Sequence, residues 1–226
     1  MSGPDKIAKI VIVDYGLGNL RSVQKALARL GAVAEISQDH AAIAKANALV
    51  LPGVGSFADG MARLRHSGLD RAILAHMEKG RPLLGICLGL QLLFETGYED
   101  GCHRGLGWFK GDVVRLPNRP GFKVPHMGWN TIRYQDPHNT FGGVEEGSYF
   151  YFVHSYHVEP QDRQVISTLT DHGGDFVSSV WQNKVLATQF HPEKSQLAGS
   201  DLLRFFLSDV ANLPLASEQL SHGVNA

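Results

Sequence analysis

Several features that would mark a nucleic-acid-binding or membrane protein are missing from the sequence. The formal net charge of the 226 residues is −1, and lysine and arginine never cluster in runs longer than a pair. Nucleic acid is bound through concentrated positive charge, so it is not expected as a partner. No run of roughly eighteen apolar residues occurs, and no membrane association is predicted.

Cysteine is also scarce, with only the two residues Cys87 and Cys102. The N-terminal segment has no apolar core of the kind that signal peptides carry, so we expect a cytoplasmic protein. A reducing compartment opposes a disulfide, which would also consume Cys87, and we therefore expect Cys102 to be an incidental thiol. With 43% hydrophobic and 19% charged residues, the composition is typical of a globular protein.

The chain has the length of one domain of ordinary size. We expect this domain to span residues 1–212 and a polar, flexible tail to follow at residues 213–226. Alternating strand-like and helical patterns up to residue 100 predict an α/β fold with a central, mostly parallel sheet. Its strands are predicted at residues 7–13, 32–36, 48–51 and 82–87, and its helices at residues 20–30, after residue 40, at residues 57–78 with a break near residue 67, and at residues 88–94.

The pattern changes after residue 100. Six strand-like segments follow, joined by loops rich in Gly, Pro and Asn. We expect them to extend the sheet and to add a partly antiparallel layer. The six segments are residues 108–116, 129–134, 148–154, 164–170, 176–182 and 184–190, and a closing helix is predicted at residues 195–210.

A cysteine flanked by glycines joins the fourth predicted strand to its helix. Gly85 and Gly89 lie two residues before and after Cys87, which is the arrangement of a nucleophile elbow with cysteine in place of serine. Side chains at the glycine positions would collide where strand and helix pass closely. A helix N-terminus also stabilises negative charge on sulfur. The alternative is a buried structural cysteine, and the flanking glycines favour the nucleophile.

A candidate base follows the last predicted strand. His191 and Glu193 are separated by Pro192, and residues two apart in an extended backbone project to the same side. The proline favours that extended geometry for His191. A carboxylate beside an imidazole sets its tautomer and stabilises its protonated form. A His-x-Glu sequence is more often a surface accident, but its place between strand and helix indicates an active-site loop, with Cys87 as nucleophile.

Two glycine-rich turns follow the first and third predicted strands. Gly53-Val54-Gly55 leaves the backbone free to point N–H groups into the cleft, as a second oxyanion donor should. A loop that only needs glycine to turn is the alternative. The first turn, Gly16-Leu17-Gly18, invites comparison with a dinucleotide site, but Arg21 stands where the third glycine would fall, so a plain tight turn is favoured.

The motifs together resemble a known family. GICLGLQ at residues 85–91, QFHPEKS at 189–195 and PGVG at 52–55 resemble the class I (triad) glutamine amidotransferases. DYGLGN at 14–19, PHMGWN at 125–130 and YFVHSY at 151–156 are similar to the glutaminase subunits of imidazole glycerol phosphate synthases, from histidine biosynthesis. The resemblance covers roughly residues 10–205 and implies a flavodoxin-like, three-layer fold without a cofactor.

The resemblance also implies a mechanism and a set of site residues. Cys87 attacks the side-chain amide of L-glutamine, His191 moves protons, and Glu193 orients His191; water then releases glutamate from the thioester. The oxyanion is bound by backbone N–H groups of Leu88 and of Gly53, Val54 and Gly55. The substrate is held by Gln91, for which an exposed helix position is an equal alternative, and by the backbone of Val153, His154 and Ser155.

A partner is implied as well. In the resembling proteins a separate (β/α)₈ synthase subunit receives the ammonia and makes imidazole glycerol phosphate and an aminoimidazole carboxamide ribotide, so a heterodimer is expected. The residues implied at the interface are Asn19, Trp129, Tyr151 and Lys194. Core positions are the alternative for Trp129 and Tyr151, whereas exposed aromatic rings would suit an interface.

Other functions remain as alternatives. The chain could serve a different synthase, act alone as a cysteine hydrolase, or be a catalytically idle regulatory subunit. The intact set of Cys87, His191 and Glu193 argues against an idle subunit. A metal site at His154-x-x-His157 or Cys102-His103 is disfavoured, because this spacing in a strand-like stretch does not match the known zinc motifs.

Overall fold

A computed structural model describes residues 9–137 and 140–213. The strands are β1 Ile10–Val13, β2 Ala34–Ser37, β3 Ala48–Gly53, β4 Leu83–Cys87, β5 Phe94–Gly97, β6 His103–Arg104, β7 Phe109–Arg115, β8 His126–Thr131, β9 Arg133–Tyr134, β10 Tyr149–His154, β11 Tyr156–Pro160, β12 Ile166–Asp171, β13 Asp175–Gln182 and β14 Val185–Thr188. The α-helices are α1 Leu20–Arg29, α2 His40–Lys45, α3 Phe57–Ser67, α4 Leu69–Glu78, α5 Leu88–Leu92 and α6 Gln196–Phe205.

One large sheet runs through the centre of the fold. Its strand order is β2-β1-β3-β4-β14-β13-β11-β7-β5-β6, with β12 and β9 attached beside β13. The first five of these strands are parallel to their neighbours. Antiparallel pairing begins between β14 and β13. A separate two-stranded ribbon pairs β8 with β10. The prediction of a mostly parallel first half with antiparallel additions is therefore confirmed.

Helices cover both faces of the sheet because the β-strands bury both of their faces. On β1, Val11 and Val13 pack into the cluster that holds α3 and α4. Ile10 and Ile12, which alternate with them, pack into the cluster that holds α1 and α6. Alternating side chains of one strand thus supply two hydrophobic cores. The result is the predicted three-layer α/β arrangement. No helix among the described residues is both long and apolar enough to span a membrane.

Local signals set the helix boundaries on the side of the sheet that carries the predicted site. The Ser56 side chain caps α3 by accepting a hydrogen bond from the Asp59 N–H at 3.3 Å. Gly68 separates α3 from α4 with φ of 71°, a conformation that glycine adopts without strain. The helix break predicted near residue 67 is therefore confirmed.

Several predicted boundaries are wrong. The helix after Cys87 ends at Leu92 and not at residue 94, because Phe94 begins β5, which pairs with β7. The strand predicted at 129–134 is divided between β8 and β9. Residues 163–165 form a 3₁₀ turn ahead of β12, and the last helix continues beyond Phe205 as a π-helical turn. Strands β5, β6 and β11 were not predicted.

The predicted tail lies outside the described residues except for its first residue. The N–H of Leu213 donates a hydrogen bond to the Leu207 carbonyl at 2.8 Å, and its side chain packs against the core. Residues 7 and 8 of the first predicted strand also lie outside the described ranges.

The elbow between β4 and α5 depends on a close backbone contact. A Cβ added to Gly89 would overlap the carbonyl oxygen of Leu51, which lies in β3. A Cβ added to Gly85 would lie 2.9 Å from the Cβ of Ala187 in β14. Neither neighbour can move without disturbing the sheet, so both positions require glycine.

We predict that Gly89→Ala lowers the free energy of unfolding by about 3 kcal/mol, because the added methyl group forces α5 away from β3. Urea denaturation followed by circular dichroism measures this change. Gly143→Ala is the matched control, since a Cβ at Gly143 meets no atom within 4 Å, and it should change stability by less than about 0.5 kcal/mol. Equal stability of the two variants would contradict the packing argument.

Candidate active site

A cavity of about 310 Å³ lies at the carboxyl ends of β3 and β4, where open α/β sheets carry their ligands. Larger cavities of about 580 and 680 Å³ lie against α3, and neither is lined by Cys87. The smaller cavity brings together most of the predicted site residues. It is lined by Val54, Gly55, Cys87, Leu88, Gln91, Glu99, Pro125, Val153, His154, Ser155, Tyr156 and His191.

Cys87 has the strained backbone of a nucleophile elbow. Its φ is 55° and its ψ is −109°, in a region that residues with a Cβ rarely occupy and that is maintained where function requires it. The residue is 7% exposed. Its Sγ lies 3.9 Å from the Val153 carbonyl oxygen and 3.8 Å from Nε2 of Gln189. The turn thus presents the sulfur to the cavity while the surrounding backbone holds it in place.

His191 and Glu193 form a buried pair. His191 Nδ1 lies 2.8 Å from Glu193 Oε1, and the two side chains are 2% and 1% exposed. Burial alone would lower the pKa of His191, but hydrogen bonds and negative charge from Cys87 and Glu193 raise it to about 9. His191 Nε2 is buried without a nitrogen or oxygen partner among the described residues, which leaves it to the Cys87 sulfur and to a substrate.

The loop that carries His191 is tied to β10 through Ser195. The backbone N–H of His191 donates to the Tyr151 carbonyl at 2.9 Å. The Ser195 hydroxyl donates to the His191 carbonyl at 2.6 Å and accepts from the Tyr151 N–H at 3.0 Å. Residues Pro192–Lys194 form a 3₁₀ turn between these anchors. Sequence patterns did not indicate that Ser195 fixes the base, since one of its two partners, Tyr151, lies 44 residues away in the chain.

Two backbone donors of the Gly53-Val54-Gly55 segment belong to residues at the cavity wall. Val54 and Gly55 line it, and no described residue accepts a hydrogen bond from either backbone N–H. Gly53 pairs with Cys87 in the β3–β4 register but does not line the cavity. Leu88 begins α5, so its N–H has no acceptor in a preceding turn. The residues expected to supply oxyanion donors, except Gly53, therefore line the same cavity as Cys87.

Gln91 is buried beside the cavity and is not an exposed helix residue. It is 6% exposed, and its Nε2 donates to the Tyr156 carbonyl at 3.0 Å and to Gln189 Oε1 at 3.1 Å. Gln189 in turn places its own Nε2 beside the Cys87 sulfur. The side-chain nitrogen of Gln91 is thus already engaged, and it connects the elbow to β11 and to the segment after β14.

Comparison with known proteins identifies the family. The model of the class-I glutamine amidotransferase family matches residues 11–210. The chain belongs to this family. It is 52% identical over 202 residues to imidazole glycerol phosphate synthase subunit HisH of Syntrophotalea carbinolica, covering 87% of this chain and 98% of that protein. It is 51% identical to the HisH subunit of Aquifex aeolicus over 199 residues, or 88% of this chain and 95% of that protein.

The fold is shared with solved structures. One, described as a crystal structure of glutamine amidotransferase, superimposes with a TM-score of 0.71 at 24% identity, covering 90% of this chain and 99% of that chain. The predicted family and its three-layer fold are confirmed.

A pair of neutral histidines supports the far wall of the cavity in this glutamine amidotransferase. His154 Nδ1 donates to the Tyr156 carbonyl at 2.9 Å, because a carbonyl oxygen can only accept. In a neutral ring the other nitrogen, Nε2, is then an acceptor, and it accepts from His126 Nδ1 at 2.9 Å. His126 Nε2 then accepts from Asn130 at 3.3 Å. Burial lowers the pKa of His154 to about 3, and burial with nearby His172 lowers that of His126 to about 4. Both rings are therefore neutral at pH 7.

The cavity contains one carboxylate that sequence reasoning missed. Glu99 lines the cavity, and its Oε2 accepts a hydrogen bond from the Phe57 N–H at the start of α3 at 2.7 Å. No motif surrounds Glu99, and its position follows from the turn after β5, which was not predicted. A negative charge at this place suits a cationic group of a ligand.

Three of the four expected interface residues lie together. Trp129 is 48% exposed and packs edge-on against Tyr151, with ring centroids 6.0 Å apart. Lys194 Nζ lies 5.6 Å from the centre of the Tyr151 ring. Trp129 is therefore a surface residue and not part of the core. Asn19 is exposed at the start of α1 and contacts none of these three through hydrogen bonds or ring stacking in the described ranges.

The His154-x-x-His157 and Cys102-His103 pairs have no third candidate metal ligand beside them among the described residues. Within residues 9–137 and 140–213, no group of three His, Cys, Asp or Glu side chains could hold a metal ion. Cys87 is buried, Cys102 is exposed, and both are free thiols. Both nitrogen atoms of His154 are hydrogen-bonded within the protein.

We predict that Glu193→Gln lowers glutamine hydrolysis at least tenfold at pH 7. The variant removes the charge that helps to raise the His191 pKa to about 9, so the imidazolium is no longer maintained. Glutamate release as a function of pH, together with NMR titration of labelled histidine, measures both effects. Glu159→Gln is the control, because Glu159 lies 4.0 Å from His157 but is 61% exposed and outside the cavity.

The same pair predicts a pH-dependent stability. The folded pKa of His191 is about 9 and lies above its unfolded value of about 6.5. Protonated His191 therefore contributes its full stabilisation below about pH 6.5, and this is lost as the pH rises through about 9. The difference in Tm between wild type and Glu193→Gln should be larger at pH 6 than at pH 10; a constant difference would contradict this linkage.

Proposed function

We propose that this glutamine amidotransferase is the glutaminase subunit of an imidazole glycerol phosphate synthase and hydrolyses L-glutamine to glutamate and ammonia. The observation that supports this most directly is the convergence of Cys87 with the buried His191–Glu193 pair beside two free backbone donors in one cavity. The similarity to HisH subunits over most of the chain supports the specific assignment.

In the first half of the reaction, the Cys87 thiolate attacks the side-chain carbonyl carbon of glutamine. The developing oxyanion accepts hydrogen bonds from the N–H groups of Leu88 and of Val54 or Gly55. His191, with its pKa of about 9, is protonated at pH 7 and gives its proton to the leaving nitrogen. Glu193 stabilises that imidazolium until the proton is transferred. The products of this half are ammonia and a γ-glutamyl thioester on Cys87.

The second half uses the same groups in reverse order. His191 is now neutral and removes a proton from the attacking water. The resulting tetrahedral oxyanion uses the same backbone donors, and its collapse expels the Cys87 thiolate and releases glutamate. His191 has regained its proton at this point. One base thus serves as acid and then as base, which requires Glu193 to hold the ring in one orientation.

The amino-acid end of glutamine fits the opposite wall of the cavity. Its ammonium group would pair with Glu99, the one carboxylate among the cavity-lining residues. Its carboxylate would be bound by backbone groups at Val153, His154 and Ser155, which line the same wall. The neutral state of His154 adds no competing charge there. A cavity of about 310 Å³ suits a small amino acid.

The ammonia acceptor would be a separate (β/α)₈ synthase subunit in a cytoplasmic heterodimer, with the ammonia passing through a protected channel. We place this partner on the apolar surface formed by Met127, Trp129, Tyr149 and Tyr151. Met127 and Tyr149 are 64% and 61% exposed on β8 and β10, beside Trp129 and Tyr151. Tyr151 is half-buried and the other three are exposed, and such a cluster of large side chains at the surface marks an interaction site. The synthase would make imidazole glycerol phosphate and the aminoimidazole carboxamide ribotide.

We predict that Cys87→Ala abolishes glutamate release while the complex with the synthase subunit still makes imidazole glycerol phosphate from free ammonia. The thiol is needed for the amide chemistry alone, so the acceptor reaction should keep its wild-type rate. A coupled assay with glutamine or ammonium chloride as the nitrogen source measures both activities. Residual glutamine hydrolysis would show that the nucleophile is assigned wrongly. Loss of the ammonia reaction would argue against separate subunit roles.

We further predict that Trp129→Ala weakens binding to the synthase subunit at least about tenfold, as expected for a central aromatic interface residue. Isothermal titration calorimetry measures the dissociation constant. Val33→Ala is the control: Val33 is 67% exposed but lies at the amino end of the edge strand β2, whereas the cavity lies at the carboxyl ends of the parallel strands. If both variants bind like the wild type, the partner does not use this surface.

A further inference from the structure

Tyr15 carries a buried hydroxyl group that has no hydrogen-bond partner among the described residues. Tyr15 lies two residues beyond the end of β1 and is 5% exposed. Leaving a buried hydroxyl unpaired is unfavourable, and each such group in a native protein calls for an explanation. Neither the elbow nor the His191–Glu193 pair accounts for it.

The hydroxyl lies against the segment that supplies the oxyanion donors. A Cβ added to Gly53 would overlap the Tyr15 hydroxyl oxygen and would lie 2.8 Å from the Leu88 Cβ. The hydroxyl is therefore in van der Waals contact with the Gly53 backbone, next to the elbow. Burial raises the pKa of Tyr15, and negative charge at Cys87 and Asp59 raises it further. Tyr15 thus remains a hydrogen-bond donor at any working pH.

The Gly53-Val54-Gly55 segment has freedom to turn. The N–H groups of Val54 and Gly55 have no acceptor among the described residues. Gly55 has φ of 97°, and no atom lies within 4 Å of where its Cβ would be. In a planar trans peptide the N–H and C=O point in opposite directions, so turning the Val54 N–H toward an oxyanion turns the Gly53 carbonyl away. That carbonyl oxygen is two bonds from the Cα that Tyr15 contacts.

We propose that Tyr15 is a positioning residue for the oxyanion donors: its hydroxyl donates to the Gly53 carbonyl when the Val54 N–H turns toward the oxygen that becomes negative during attack by Cys87. The hydroxyl is unpaired at rest and paired in the reacting state. It therefore stabilises the reacting state by the free energy of that one hydrogen bond. An interaction that exists only at that stage accelerates the chemical step. This proposal rests on the glutaminase function proposed above.

The test compares Tyr15→Phe with Tyr134→Phe in the complex with the synthase subunit. Tyr134 is also 5% exposed, but its hydroxyl donates to the Val144 carbonyl at 2.9 Å and accepts from the Phe141 N–H at 3.1 Å. We expect Tyr15→Phe to lower kcat for glutamine about tenfold, the effect of one hydrogen bond, with KM within about twofold and Tm unchanged or higher. Tyr134→Phe should lower Tm and keep the wild-type kcat.

Two probes of Cys87 separate positioning of the donors from a general disturbance. Glutamate γ-semialdehyde, an aldehyde analogue of glutamine, forms an oxyanion when Cys87 adds to it, so Tyr15→Phe should weaken its binding about as much as it lowers kcat. Iodoacetamide alkylates Cys87 without forming an oxyanion, and its rate should not change. A wild-type kcat in Tyr15→Phe, or equal losses with both probes, would overturn the proposal.

The outcome also distinguishes this proposal from the function on which it rests. If the wild-type complex releases glutamate and Tyr15→Phe releases it equally fast, only the role of Tyr15 is wrong. If the wild-type complex releases no glutamate from glutamine, the proposed function fails, and the role of Tyr15 fails with it.

Discussion

The contact between the Gly89 backbone and the Leu51 carbonyl is the constraint on which the site depends. A Cβ at Gly89 would overlap that oxygen. Because glycine has no Cβ, α5 can lie directly over β3. The β3–β4 register then places Gly53 opposite Cys87. The nucleophile and the donor segment are thus brought to the same end of two neighbouring strands by backbone packing alone. The strained φ of 55° at Cys87 is tolerated because the sheet and helix on either side fix the turn.

Charge sets the second requirement. A histidine and a glutamate at 2% and 1% exposure are costly to bury unless their charges compensate each other. Negative charge at Cys87 contributes to the same balance, since it also raises the His191 pKa. The three groups are therefore coupled: His191 is protonated at rest because both neighbours favour its charge. This suits the order of events in amide hydrolysis, in which an acid is needed for the leaving nitrogen before a base is needed for water.

Sequence patterns predicted the parts of the structure that short stretches decide. The elbow, the His191-Pro192-Glu193 turn and the break at Gly68 all follow from residues within a few positions of each other. Contacts between distant segments could not be predicted in this way. Phe94 has the apolar character of a helix residue, but its pairing with Phe109 makes it a strand residue. Gln91 fitted an exposed or a buried position equally until Gln189, 98 residues away, settled it. The positions of Glu99 and Tyr15 also depend on contacts with distant segments, which are Phe57 and Gly53.

The β8–β10 ribbon connects the exposed aromatic surface with the cavity. Trp129 and Tyr151 are register partners on it, and further along β10 the residues Val153 and His154 line the cavity. The Tyr151 carbonyl accepts the hydrogen bond from the His191 N–H at 2.9 Å. A protein seated on this aromatic surface would therefore contact the strand that holds the base and one wall of the substrate cavity. The aromatic surface and one wall of the cavity share strand β10. A protein bound at the surface would therefore act on the position of that wall.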